Sequence, residues 1–403
     1  MWVVSYGRTT PGLNDTLFYV FAADTLADDK GLRALPGQPS SHWPPGFPFL
    51  VSLFYRVFGV HPELGLGVNV LLSTATAALL YMVAERMLGR KAAVVSGGAF
   101  ALLPGPLFFT GLFLSETTYM FMLVGFLALA LLLPERTWTP IALGIAAGLA
   151  ALTKGEGVLL AVIPLAMWWG NHKRSTILRK GTVFLVAMAL TILPWTIRNA
   201  VVMDAFIPIS TNASTTLWSG HNDRATGGVV YPPSSLYEQV SGRGDPQTAE
   251  VGEARVLRSE AIEWAIRNPH EELGLIPRKL IALAGTTSSV FPIWFNTGDE
   301  RQVDASAVIV FGVLGDGLDY ALIFLTLAAL VLIGPRRLWR IHPGMQGTLA
   351  YLAVCLVTYG FVYYGQFRYR IPMEPLMILV AAPLLVGVWE RRQSLKGELV
   401  PPV

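Results

Sequence analysis

Residues Pro11–Pro48 read PGLNDTLFYVFAADTLADDKGLRALPGQPSSHWPPGFP, a polar, acid-bearing stretch at the head of a chain that is otherwise mostly apolar. The spacing of Leu17, Val20, Phe21 and Leu26 predicts a helix over Thr16–Leu26 ending near Lys30-Gly31, with Asn14-Asp15 placed to cap it. His42-Trp43-Pro44-Pro45-Gly46-Phe47-Pro48 then leads the chain back into apolar sequence. A stretch this polar belongs outside the bilayer core, and the face it occupies fixes the topology of everything after it.

The 403 residues are 53% hydrophobic and 14% charged, where soluble domains carry about 25% charged residues. With a mean hydropathy of +0.50, the chain reads as an all-α polytopic membrane protein. The net charge is +3 and its basic residues lie in short clusters between apolar runs, which marks topology and excludes a nucleic-acid binder. Cys355 is the one cysteine, so there is neither a disulfide framework nor a cysteine metal site.

A bilayer span needs about 20 apolar residues. Spans are expected at Leu64–Glu85, Ala92–Phe109, Glu116–Leu133, Pro140–Thr153, Gly157–Trp169, Thr182–Ile197, Ala305–Ile333, Met345–Tyr364 and Pro375–Trp389. The clusters around Arg86–Lys91, Arg136, Lys173–Lys180, Arg336–Arg340 and Arg391–Lys396 all face the cytoplasm if Pro11–Pro48 is outside. Reading Phe47–Val60 as a further span would invert every later loop, so it is expected as an interfacial helix on the outer face. The resulting division is an outer first loop (1–62), a bundle (63–197), a large outer loop (198–304), C-terminal helices (305–390) and a cytoplasmic tail (391–403). The large loop carries a helical pattern over Thr248–Asn268, and the opening MWVVSYGRTT implies an additional span ahead of the first loop.

Polar groups at membrane depth are costly and therefore candidates for function. Asp15 can serve as the base that takes a proton from an acceptor hydroxyl, or simply cap the helix after it. Glu116, in Leu114-Ser115-Glu116-Thr117, can pair with Asp15 around a hydroxyl or a divalent cation. Alternatively it is an acid at a positive helix end capped by Ser115. Lys154, in Thr153-Lys154-Gly155-Glu156-Gly157, can meet a lipid phosphate or form a surface turn with Glu156. Arg198, in Pro194-Trp195-Thr196-Ile197-Arg198-Asn199, lies on the outer side against the usual charge bias and offers a bidentate phosphate contact. Arg368 and Arg370, in Gln366-Phe367-Arg368-Tyr369-Arg370-Ile371-Pro372, show the same anomaly, or snorkel to headgroups. His42, His221 and Asn222 are secondary pocket candidates.

In order, NDTLFYVFAADTLADDKGL, HWPPGFPFL, LSET, ALTKGEG, PWTIRN, PISTNASTTLWSGHNDRATGG and RYRIP resemble the GT-C glycosyltransferases of the dolichyl-phosphate-mannose protein mannosyltransferase-like group, bacterial aminoarabinose transferases to lipid A among them. The resemblance covers nearly the whole chain. It implies a GT-C fold with amphipathic extracytoplasmic loop helices in a multi-pass inner (plasma) membrane protein. The implied donor is a polyprenyl-phosphate sugar, and the acceptor a hydroxyl on a glycan, lipid or protein at the extracytoplasmic side. By motif, Asp15 matches the first-loop acid and base, Glu116 the second acid, and Arg198 the donor-phosphate arginine. Lys154 and Arg370 are auxiliary cations there, and Arg368 joins the donor-phosphate candidates by its place on the outer side. Asn14-Asp15 stands where relatives often carry adjacent acids, which weakens the case for a metal. A transporter or flippase of lipid-linked saccharides is the rival reading, and paired internal repeats, which many transporters show, are not detected.

Overall fold

Helix α1 (Asn14–Ala27) starts two residues earlier than its apolar pattern predicts, which puts Asp15 inside the first turn and not ahead of it. An acid there meets the positive end of the helix dipole. The computed structural model describes residues 14–34, 37–236, 246–290 and 305–398. The opening MWVVSYGRTT, the tail residues Pro401-Pro402 and parts of the large loop (237–245 and 291–304) lie outside the described residues.

Phe18, Tyr19, Ala22 and Ala23 of α1 are buried, and the chain then makes a two-residue antiparallel ladder, β1 (Arg33–Ala34) with β2 (Gln38–Pro39). Helix α2 (Gly46–Phe58) turns Phe47, Val51 and Tyr55 inward and leaves Phe49, Leu53, Val57 and Phe58 exposed. It is too short to cross a bilayer, and its outward apolar stripe suits the interface.

Every expected span falls on helical chain, though not all are long enough to cross. Helix α3 (Pro62–Leu88) is long and apolar. The second expected span is not continuous: α4 (Arg90–Leu102) and α5 (Pro104–Thr110) bend by 53°. Pro104 opens the second piece because it cannot donate to the first. Helices α6 (Glu116–Leu132) and α7 (Thr139–Thr153), and the 3-10 turn Gly155–Ala161 with α8 (Val162–Trp169), are apolar but short. α6 buries one face, with Tyr119, Met120, Leu123, Val124 and Leu127, and leaves Leu129 and Leu132 exposed near its far end. Helix α9 (Arg174–Met203) is the longest span.

The large second segment carries α10 (Asn212–Gly220), α11 (Pro246–Arg267) and α12 (Pro269–Leu283). Then come α13 (Ala305–Leu332), whose span is Gly312–Leu332, and the connector α14 (Pro335–Ile341). Helix α15 (Pro343–Val357) runs into a π turn (Thr358–Val362), and the short α16 (Phe367–Arg370) and a 3-10 turn precede α17 (Glu374–Glu398). Among the described residues five helices are long and apolar enough to cross a membrane, six if the bent pair is one span. The chain is a multi-pass membrane protein.

Helix α11 is tied to the first loop by Glu250, which accepts from Ser40 Oγ at 2.8 Å, Ser41 N at 3.0 Å and Thr211 Oγ1 at 3.0 Å. One turn on, burial and then the charge of Glu250 push the Glu253 carboxyl up to about 7. The docked helix holds a proton that an undocked one releases nearer pH 4.5, so docking weakens as pH rises through about 7. Amide-exchange protection of α11, corrected for intrinsic rates, should fall across that range, and Glu253→Gln should flatten the dependence. Protection that is level with pH in the unaltered chain would contradict this.

Candidate active site

Asp15, Glu116, Lys154 and Arg368 come from four distant parts of the chain and meet where α6 begins and α7 ends. Arg368 Nη1 donates to Asp15 Oδ2 at 2.6 Å, and its Nε donates to Glu116 Oε1. Lys154 Nζ donates to the same Glu116 oxygen at 3.2 Å and stands 3.9 Å from Glu156 Oε1. Glu116 Oε2 is buried without a hydrogen-bond partner among the described residues. The Glu116 side chain is 0% exposed, Asp15 14% and Arg368 18%, so an entering ligand meets Asp15 and Arg368 first.

The local sequence explains the placement. Lys154 ends α7 in an extended conformation, and Gly157 follows because a Cβ there would lie 2.2 Å from Ala151 N. Only glycine lets the chain fold back this tightly. Ser115 stands at the start of α6 but makes no side-chain cap, contrary to the sequence expectation; its Oγ pairs with the Tyr19 hydroxyl at 3.3 Å. Gly365 is needed just before α16, since a Cβ there would sit 1.7 Å from the Lys279 carbonyl oxygen.

Tyrosines unmarked by the sequence reading complete the site. Tyr359 and Tyr369 stack at 4.7 Å and 10°, and Lys154 Nζ lies 5.7 Å above the Tyr369 ring. Tyr359 donates to Glu156 Oε1 at 3.0 Å, and Tyr369 donates to the Tyr364 hydroxyl at 2.9 Å. The available signal was the density of aromatics in YGFVYYGQFRYR, Tyr359–Arg370.

The other candidates lie elsewhere. Arg198 donates to the carbonyls of Ser40 (2.8 Å) and Leu32 (2.9 Å), to Ser41 Oγ and Asn199 Oδ1 (both 3.1 Å), and lies 4.8 Å over the Trp195 ring. It makes no ion pair among the described residues. Arg198→Ala should therefore loosen the first loop, costing about 1.5–3 kcal/mol as lost charged hydrogen bonds. Thermal unfolding checks this, and an unchanged midpoint would contradict it. Arg370 is buried in a separate network, 3.1 Å from Asp319 Oδ2, with Nε donating to Glu374 at 3.2 Å and Nη1 to the Gly285 carbonyl at 2.6 Å.

His42 packs edge-on against Trp43 near Asp15; burial holds its imidazole below the ordinary range against the pull of Glu250 and Asp15. His221 donates from Nε2 to the Val362 carbonyl at 2.8 Å and pairs through Nδ1 with Glu272 at 2.6 Å. Asn222 bonds the Trp218 carbonyl and the Arg224 amide, both at 2.8 Å, so these two residues shape a loop instead of lining the acid cluster. The described residues bring together no set of side chains that fits a divalent cation. No three His, Cys, Asp or Glu side chains gather among the described residues, and the Arg368 guanidinium stands between Asp15 and Glu116.

The bundle of apolar helices with a charged cluster at one end has the GT-C fold, by its likeness to solved structures. Residues 42–197 match the family model described as dolichyl-phosphate-mannose-protein mannosyltransferase. The oligosaccharyltransferase of Archaeoglobus fulgidus, solved in complex with zinc and sulfate, is 17% identical at a TM-score of 0.54, over 97% of this chain and 46% of that one. The same protein with an inhibitory peptide and a dolichol-phosphate gives 15% and 0.50, over 100% and 49%. ArnT from Cupriavidus metallidurans, bound to undecaprenyl phosphate, is 16% identical at 0.48, over 95% and 76%. The chain spans about half the length of the oligosaccharyltransferase it resembles. No curated protein matches it at a significant level.

Proposed function

We propose that this protein transfers a sugar from a polyprenyl-phosphate donor to an acceptor hydroxyl at the outer membrane face, with inversion at the anomeric carbon. The observation that carries the reading is the convergence of Asp15, Glu116, Lys154 and Arg368 into one charged, partly open cluster. The family match to lipid-phosphate-dependent mannosyltransferases and the dolichol-phosphate in the oligosaccharyltransferase complex support the donor class. Arg136 lies just past the far end of α6, opposite Glu116, and the positive-inside bias of such a residue supports reading the cluster as outside.

The donor's phosphodiester lies against Lys154 and Arg368. Asp15 takes the proton of the acceptor hydroxyl as its oxygen bonds to the anomeric carbon. The bond from that carbon to the phosphate oxygen breaks, and the electron pair leaves with polyprenyl phosphate. Lys154 and Arg368 stabilise the charge that develops on this leaving oxygen. Glu116 fixes both cations, and Arg198 holds the first loop that carries Asp15.

The test offers a panel of polyprenyl-phosphate sugars to purified protein in proteoliposomes. Acceptor-dependent release of polyprenyl phosphate is expected from at least one donor. Movement of intact donor across the bilayer with no release from any would overturn the reading in favour of a flippase.

A further inference from the structure

One guanidinium serves two masters in this site. Arg368 is the sole ionic partner of Asp15 among the described residues, and it is also a cation that an incoming phosphate would engage. We infer that donor phosphate and Asp15 compete for Arg368, so that the base is masked by its ion pair until a phosphate draws the guanidinium away. The inference rests on the transferase reading and adds a coupling between donor binding and the state of the base.

The geometry indicates which contact yields. Glu116 is fully buried, receives both Arg368 Nε and Lys154 Nζ, and has no route to solvent. Asp15 is at the open edge and touches Arg368 through Nη1 alone, at 2.6 Å. An Arg fork can keep Nε on one carboxylate while its outer nitrogens turn to a phosphate, a geometry that bidentate recognition favours. The backbone need not move, because α16 is anchored two residues on by Arg370, held between Asp319, Glu374 and the Gly285 carbonyl. Asp15 then loses its neutralising partner and becomes a free carboxylate only when the electrophile is in place.

Linkage gives this a reciprocal signature. Whatever phosphate does to the Asp15–Arg368 pair, loss of that pair must do to phosphate affinity. Asp15→Asn should therefore bind undecaprenyl phosphate more tightly than the unaltered protein, by roughly 5- to 150-fold as for ordinary site coupling. Simple removal of a repelling negative charge would also tighten binding, but it would do so whether or not Arg368 is present.

The experiment titrates undecaprenyl phosphate into the full chain in nanodiscs as unaltered protein, Asp15→Asn, Arg368→Ala and the double variant. Tighter binding in Asp15→Asn that vanishes in the Arg368→Ala background is the expected result. Equal or weaker binding in Asp15→Asn, or tightening that persists without Arg368, overturns the inference while leaving the transferase reading standing. No binding by the unaltered protein overturns both. Should Arg368→Ala not fold, carbodiimide labelling of Asp15 in the unaltered protein decides: undecaprenyl phosphate should increase it, and labelling that is unchanged or reduced overturns the competition.

Discussion

Arg368→Ala is expected to cut sugar transfer by about 10²- to 10³-fold, the usual effect of deleting one group that stabilises developing charge. It should also destabilise the protein, because removing one partner of a buried pair costs about 3–5 kcal/mol. Lys154, 3.2 Å from Glu116, still neutralises that acid and should hold the loss near the lower bound. Arg368→Lys separates the two effects: it keeps the charge and much of the stability but loses the fork that reaches Asp15 and Glu116 together. Its transfer rate should therefore stay low. Release rates and unfolding midpoints measured on both variants check this, and unaltered release from Arg368→Ala would contradict the assignment.

Arg370→Ala should have a comparable effect on stability by a different route. Arg370 is 4% exposed at its side chain and stands between Asp319 and Glu374, both 0% exposed. Without it two buried carboxylates face each other unpaired, at a cost of about 3–5 kcal/mol or more. The consequence is a lower unfolding midpoint and reduced yield, with each folded molecule still transferring, since Arg370 contacts none of Asp15, Glu116 or Lys154. Adding Asp319→Asn and Glu374→Gln should recover much of the stability, because the unpaired charges disappear with the cation. Failure of the triple variant to recover would contradict the buried-charge account.

Two arginines two residues apart thus do different work, and their difference shows where sequence reading stops. Glu116, Lys154 and Arg368 were visible as polar residues bordering apolar runs, where lipid makes such residues expensive, and Asp15 as the acid at the head of the first loop's helix. What could not be read was partnership. Arg198 looked like a phosphate ligand because it is a cation on the outer side. Its donors are taken by the carbonyls of Leu32 and Ser40, more than a hundred and fifty positions away in the chain, and no local pattern announces that. The tyrosine floor was missed for the same reason: aromatics are common at membrane interfaces, and only the fold shows Tyr359 and Tyr369 stacked beneath Lys154. Helix positions were more legible than helix continuity. Apolar length alone suggested one span over Ala92–Phe109, whereas Pro104 breaks it into a bent pair.

The most direct test of the central claim is a single-turnover measurement of polyprenyl phosphate release, comparing the unaltered protein with Asp15→Asn at donor concentrations that saturate both. Saturation removes any difference in binding, so the rate reports the base alone. Release slowed by about 10²- to 10⁴-fold, the contribution of a general base, is the predicted result. Release at the unaltered rate from a saturated Asp15→Asn would contradict the claim that Asp15 takes the proton.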